Sequence, residues 1–366
     1  MKAGTEHRLY LRDARSLENL STGEVDLVVT SPPYPMIQMW DSAFTSMNPD
    51  IGNALNGGNG NEAFEKMHLE LDTVWGNLYA RVREGGFICI NIGDATRRLG
   101  DSFRLYPNHA RITGTFLALG ADPLPVILWN KPTNAPNKFM GSGMLPAGAY
   151  VTLEHEYILL FRKGKKRVFK EAEEKMRRRQ SAFFWEERNN WFSDRWTLSG
   201  VRQKLDRRDA RDRSGAFPFE LAYRLILMYS LRGDKVVDPF GGTGTTMFAA
   251  MVTGRNSIHI EVNPGMAGII REGTREIISV SRELVKKRLI DHQHFIEDYT
   301  ARKKSPLYEH PVYGFPVVTS QETDLQLQTV SKIAEVEEFL FRVEYENVSR
   351  ETSNRFTQET DILRFD

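Results

Sequence analysis

Two strings in this chain gather side chains able to do chemistry on a bound molecule. The first is TSPPY at residues 30–34. Ser31 supplies a hydroxyl and Tyr34 an aromatic face, while Pro32 and Pro33 fix φ and leave the Pro32 carbonyl rigidly aimed. The second is DPFGGTGTT at residues 238–246. Gly242 and Gly244 permit a tight turn and a close backbone approach to a ligand at a helix N-terminus, framed by Asp238, Pro239, Phe240 and Thr245. No lysine follows the glycines, so the phosphate-cradling P-loop is not matched. Met247 stands where a dinucleotide fingerprint needs its third glycine. Glu261 ends the next apolar run, about twenty residues on, where a carboxylate can accept hydrogen bonds from ribose hydroxyls. A nucleotide-like ligand is the class these residues suit.

The surrounding elements must bring the two strings together. Each follows a short apolar run, DLVVT (26–30) and KVV (235–237), that reads as a buried parallel strand. Between and after them strands and helices alternate. Residues 69–83 have helical spacing and end at Gly85-Gly86; 86–93 reads as a strand, 109–119 as a helix, and 125–129 and 156–161 as strands. The pattern resumes with a helix over 217–231, a helix over 245–252, a strand at 257–262 and a long polar helix over about 268–303. This alternation predicts an α/β fold with a doubly wound, mostly parallel sheet. The Gly/Asn-rich stretch 52–62 reads as a mobile loop, and 325–341 as a helical segment in a tail of otherwise unassigned role.

Taken together and in this order, catalytic-type turn before glycine turn, the strings resemble the amino-methylating DNA methyltransferases of the permuted (beta) type, SPPY subgroup. The resemblance covers about residues 8–161 and 214–265. It implies a Rossmann-like methyltransferase fold and S-adenosylmethionine as cofactor. FPFEL (217–221) matches the motif just upstream of the cofactor turn, which marks Phe217 and Pro218 as cofactor contacts. Asp13, in LYLRDARSL, sits where the family has its adenine-contacting acid; Asp238, Pro239, Phe240, Gly242, Gly244, Thr245, Glu261 and Asn263 complete the expected cofactor set. The implied division is 1–137 and 216–290 as the catalytic and cofactor halves, 138–215 as a target-recognition region, and 291–366 as an extension.

Methylating an exocyclic amine is demanding because its nitrogen gives its lone pair to the ring. Acceptors that engage the N–H protons push density back and orient it. Ser31 and the Pro32 carbonyl can do that, and Tyr34 can stack a base flipped out of duplex DNA. Methylation at ring carbon would need a cysteine nucleophile. The chain has a single cysteine, Cys89, inside the apolar run GFICINIG, which sets that route aside along with disulfides and cysteine-ligated zinc. Serine at the head of the tetrad is the family's mark of N4-methylcytosine; N6-adenine is the alternative, and RNA or protein amine methylation a more distant one. A binding module without turnover is disfavoured by the intact tetrad. ILWNKPTNAPN (127–137) and EHEYILLFRKG (154–164) match two further segments of the family. Trp129 and Lys131 read as a core tryptophan and a surface lysine, and Asp94 as either a pocket residue or a helix cap.

Net charge is +1 and decides nothing about nucleic acid, but its distribution is uneven. Residues 162–180 hold ten Lys/Arg against three Glu, and 202–213 six against three Asp, with Trp185, Trp191 and Trp196 near by. Such segments can line a phosphate backbone or form a solvated helix face. The expected partner is double-stranded DNA, with a separate restriction endonuclease implied by resemblance and the choice of monomer or homodimer open. No run approaches the roughly 18 apolar residues of a membrane span, and no metal site is expected. A cytoplasmic location is the natural reading of the single cysteine and the absent signal-peptide core.

Overall fold

The apolar runs become neighbouring strands of one sheet. The structure, a computed structural model, describes residues 4–18, 20–131, 140–198, 217–302, 305 and 308–358. In chain order it contains β1 (Gly4–Leu11), β2 (Val25–Thr30), α1 (Asp41–Met47), α2 (Pro49–Asn56), α3 (Gly60–Arg81), β3 (Val82–Ile92), β4 (Ala95–Leu99), β5 (Ser102–Tyr106) and α4 (Asn108–Ala118). There follow β6 (Ala121–Asn130), β7 (Met140–Gly141), β8 (Ala149–Tyr150), β9 (His155–Lys163), α5 (Ala172–Gln180), α6 (Trp185–Trp191) and β10 (Arg195–Thr197). The second half holds α7 (Phe219–Tyr229), β11 (Lys235–Asp238), α8 (Thr245–Thr253), β12 (Asn256–Glu261), α9 (Met266–Gly273) and α10 (Ile277–Ala301). The chain closes with β13 (Tyr308–Glu309), β14 (Pro316–Val317), β15 (Gln328–Glu337), β16 (Leu340–Asn347) and α11 (Arg350–Gln358).

Among the described residues ten strands share the main sheet, in the order β10-β6-β9-β3-β2-β11-β12-β1-β16-β15. The central five, β3 to β1, are parallel. β9 runs against both β3 and β6, and β16 against both β1 and β15. The central strands are buried on both faces, which is why DLVVT reads as continuous apolar sequence rather than as an alternation. Leu27 and Val29 face a core built with α7, α8, α9 and the start of α10. Val28, Ile88 and Ile90 face the opposite core, built with α1 to α4. From β2 the chain crosses to β3 on one side; from β11 it crosses to β12 on the other. The crevice at that reversal, at the carboxyl ends of β2 and β11, is where such sheets bind ligands.

The structure corrects several expectations. Residues 52–62 are mostly helical: Asn48 caps α2 and Asn59 caps α3 through their side chains, while Ile51, Ala54 and Ala63 are buried. Glycine and asparagine here serve as caps and as the Gly57–Asn59 turn. Residues 325–341 hold β15 instead of a helix. Thr329, Val330 and Ile333 are β-branched, and β15 pairs with β16 around a turn at which Phe339 takes φ 56°. The long helix is broken at Gly273 by a 3-10 turn, Thr274–Glu276. The C-terminal hairpin is integral to the sheet: Tyr345 Oη donates to the Met251 carbonyl at 2.7 Å and lies 2.7 Å from Thr5 Oγ1.

Among the described residues of the segment 138–215, β9 and β10 are strands of the main sheet. Its basic run wraps the amino-terminal edge. Arg167 pairs with Asp234 at 2.8 Å and Asp26 at 3.5 Å, Arg177 with Asp234 at 3.5 Å, and Arg179 with Asp324 at 3.1 Å. Asp26 lies four residues before Thr30, about 13 Å along the strand, so these cations sit away from TSPPY. Trp191 and Trp196 are buried, joined by a bond from Trp196 Nε1 to the Trp191 carbonyl. The basic stretch 202–213 lies outside the described residues. Arg167→Ala, which removes the nearer of the two cations on the buried Asp234 carboxylate, is expected to lower the free energy of unfolding by about 3 kcal/mol. Urea titration measures that loss, and a twofold or smaller change in DNA affinity separates it from a phosphate-contact role.

Candidate active site

The two turns meet at the seam between β2 and β11. Asp238, the last residue of β11, is buried, and its carboxylate joins both halves of the chain. Oδ1 accepts from Thr30 Oγ1 at 2.6 Å and from the Phe240 amide at 3.0 Å; Oδ2 accepts from Thr246 Oγ1 at 2.8 Å. Burial pushes its pKa up to about 6, against the pull of those three donors. Asp238 thus reaches the site as the clamp that holds both turns. Phe240 packs edge-on against Trp75 from α3, 5.6 Å between centroids, and Pro239 opens the turn.

Beyond Phe240 the chain takes the left-handed conformations that require glycine, φ 50° at Gly242 and 87° at Gly244. A Cβ on Gly244 would also lie 3.0 Å from Ile270. Glu261 braces the turn from the end of β12. Its Oε2 accepts from the Gly242 amide and its Oε1 from the Asn263 amide, both at 2.7 Å, and burial raises its pKa against those amides. Asn263 Oδ1 accepts from the Gly265 amide. Thr245 is buried at the first turn of α8. Asp13 lies just past β1, whose Leu11 pairs with Glu261. Burial would raise its pKa, but the Arg15 guanidinium and amide hold it below the usual range. Phe217 and Pro218 are both buried at the start of α7, whose apolar face packs in the core with α8.

On the other side of the seam, Ser31 Oγ donates to Tyr34 Oη at 3.1 Å. Pro32 is buried; Pro33 and Tyr34 are half-buried. The turn is fixed from α4: Asn108, fully buried, donates to the Pro35 carbonyl at 3.1 Å and to the Gly93 carbonyl at 2.9 Å. Tyr34 Oη donates to Glu156 Oε2 at 2.8 Å and accepts from Asn91 Nδ2 at 2.8 Å. Lys131 Nζ closes the group on Glu156 Oε1 at 2.7 Å. Asp94 resolves to a helix cap, its Oδ1 accepting from the His109 amide at 3.1 Å. Trp129 is core, as its sequence context indicates, with Nε1 donating to the Leu198 carbonyl.

Sequence reasoning did not single out Asn91, Asn108 or Glu156. Two of them carried a signal: Asn91 interrupts GFICINIG, and Glu156 opens the apolar run of β9. A lone polar residue in a doubly buried strand needs a partner, and here the partner is Tyr34. No group of three or more possible metal ligands occurs among the described residues.

The geometry agrees with comparison to known proteins. Residues 25–272 match the N6/N4 DNA methylase family. The Type II methyltransferase M.MthZI of Methanothermobacter thermautotrophicus is 47% identical over 96% of this chain and 99% of its own length. M.MjaI of Methanocaldococcus jannaschii is 46% identical over 73% and 91%. Among solved structures, a DNA modification methylase of Thermus thermophilus, TTHA0409, complexed with S-adenosyl-L-methionine, superposes with a TM-score of 0.57 at 32% identity, covering 74% of this chain and 96% of that one.

The clamp carries a pH signature. With Asp238 at about 6 in the folded state and near 4 unfolded, the unfolded chain binds fewer protons between those values. Stability therefore falls as pH rises from about 4 to about 6 and levels above. Urea unfolding should show the wild type losing ground against Asp238→Asn over that window; a constant difference would contradict the assignment. The two turns, their clamp and these relatives place the chain in the N6/N4 DNA methylase family.

Proposed function

We propose that the chain transfers a methyl group from S-adenosylmethionine to the exocyclic N4 amine of cytosine in a specific duplex DNA sequence. When bound, the cofactor supplies a methyl group made electrophilic by its sulfonium. The residues present suit it. The left-handed turn at Gly242 and Gly244 opens backbone toward a ligand at the start of α8, Glu261 offers carboxylate lone pairs at the strand end, and Asp13 lies just past the end of the neighbouring strand. Phe217, Pro218, Pro239, Phe240, Thr245 and Asn263 would complete the pocket, with Asp238 holding it in place.

The observation that carries the reading is the state of Ser31. Its O–H points to Tyr34 Oη, so its lone pairs are left to accept from an amine N–H. The Pro32 carbonyl is a second acceptor on the rigid turn. Tyr34 keeps its ring for stacking an extruded base while its hydroxyl is tied down at the edge. Serine in this position supports cytosine over adenine by resemblance to the N4 subgroup. No covalent intermediate is needed: Cys89 is buried, with its thiol pushed above its ordinary pKa by that burial.

Two hairpins border the same edge and are the surface we assign to the duplex. The β4–β5 hairpin exposes Arg98 and Arg104, and Phe103 on it stacks on Tyr150 of β8 at 5.0 Å. The turn between β7 and β8 projects Met144 and Leu145, 89% and 70% exposed. Phosphate contacts from the arginines and apolar contacts from the turn suit a duplex with one base withdrawn. The test is incubation with labelled S-adenosylmethionine and mixed-sequence duplex, digestion to nucleosides and mass spectrometry. N4-methylcytosine is expected; N6-methyladenine would overturn the base assignment and leave the site intact.

A further inference from the structure

Amine methylation ends with a proton to dispose of. The nitrogen that has gained a methyl group carries a positive charge and one hydrogen more than the product. Several nearby acids are already committed: Asp94 to His109, Asp13 to Arg15, and Asp238 to the clamp. Glu156 is placed differently. It reaches the site from β9, across β3 from β2, with 11% of its side chain exposed, and Tyr34 Oη stands between it and Ser31.

We propose that Ser31, Tyr34 and Glu156 form a proton relay that drains the methylated amine. The amine N–H bond breaks as its proton passes to Ser31 Oγ. The serine's own proton passes to Tyr34 Oη across a 3.1 Å oxygen–oxygen contact, and the tyrosine's to Glu156 Oε2 across one of 2.8 Å. The nitrogen loses one proton, the carboxylate gains one, and both hydroxyls end as they began. Glu156 touches no reacting atom; it is a positioning residue that acts through the two hydroxyls. The relay rests on amine methylation and is indifferent to which base is the substrate.

Three features built around the relay support it. Asn91 Nδ2 bridges Tyr34 Oη and Glu156 Oε2, at 2.8 and 2.7 Å, and so locks their spacing. Gly93 makes room for the pair: a Cβ there would stand 3.1 Å from the Tyr34 ring and 3.4 Å from Glu156 Cγ. Lys131, with 55% of its side chain exposed, holds the other carboxylate oxygen and fixes the carboxylate's orientation at the edge of solvent. Burial first, and then the charge of Glu156, hold the Tyr34 phenol well above its ordinary pKa, so tyrosine passes the proton on rather than resting as phenolate.

The alternative, that Glu156 merely orients Tyr34, predicts the opposite ranking of two variants. Glutamine keeps the length and an acceptor oxygen; aspartate keeps the carboxylate and loses a methylene. Single-turnover methylation is measured at saturating S-adenosylmethionine, together with cofactor affinity and the fluorescence of 2-aminopurine placed beside the target base. The relay predicts that Glu156→Gln slows transfer by at least 100-fold, with cofactor affinity within twofold and the base-flipping signal unchanged. Glu156→Asp recovers part of the rate, and Glu156→Gln combined with Tyr34→Phe is no slower than the worse single variant. A loss under tenfold in Glu156→Gln, or a loss of flipping in step with the rate, would overturn it. Nucleosides from the wild-type reaction keep the two claims apart. N6-methyladenine leaves the relay standing, whereas a wild type that methylates no amine ends it.

Discussion

Asp238 accepts hydrogen bonds from Thr30 on one side and Thr246 on the other, and everything at the site depends on that carboxylate. Thr30 directly precedes Ser31. Thr246 lies on the helix whose N-terminus the glycine turn forms. Two segments some two hundred residues apart in the chain are thereby held on adjacent strands. A buried carboxylate without such donors would cost several kcal/mol; with them it fixes the seam where methyl donor and acceptor must meet. The threonines are as necessary as the acid, because each supplies the proton that makes burial tolerable.

The chemistry follows from how differently the two sides of the seam are built. On the β11 side the backbone is the instrument: left-handed glycines make the turn and leave no Cβ, and Glu261 braces it through the Gly242 amide. On the β2 side the instruments are side chains on a stiff turn, supported by Asn108 from below and by Asn91 and Glu156 from neighbouring strands. A loose turn could bind a base. A fixed one can also choose the direction from which its amine meets the methyl group.

Much of this was legible in the sequence, for a physical reason. Doubly buried parallel strands leave continuous apolar runs, and a turn that needs positive φ leaves glycine, so TSPPY, DPFGGTGTT and their strands could be read locally. Glu156 and Asn91 were harder because their meaning depends on which strands become neighbours. The β9 and β3 pairing that joins them to Tyr34 is a fact of topology. The basic run of 162–180 was open in the sequence for the same reason: Asp26 and Asp234, which pair with Arg167, are distant in sequence and lie at the opposite edge of the sheet from the site. The tail misled because 325–341 has apolar spacing that suits a helix in isolation, whereas the free edge of β1 recruits it, through β16, as a strand.

The central claim is that binding of the donor and handling of the amine are separate tasks joined at the Asp238 seam. Ser31→Ala tests it most directly, because it removes one hydroxyl from the amine side and touches nothing on the glycine side. The account predicts a single-turnover rate reduced by about 100-fold or more, the scale expected for one oriented acceptor acting at the transition state. Calorimetric affinity for S-adenosylmethionine should stay within twofold. Rate and affinity falling together would contradict the account and make Ser31 a structural element of the turn.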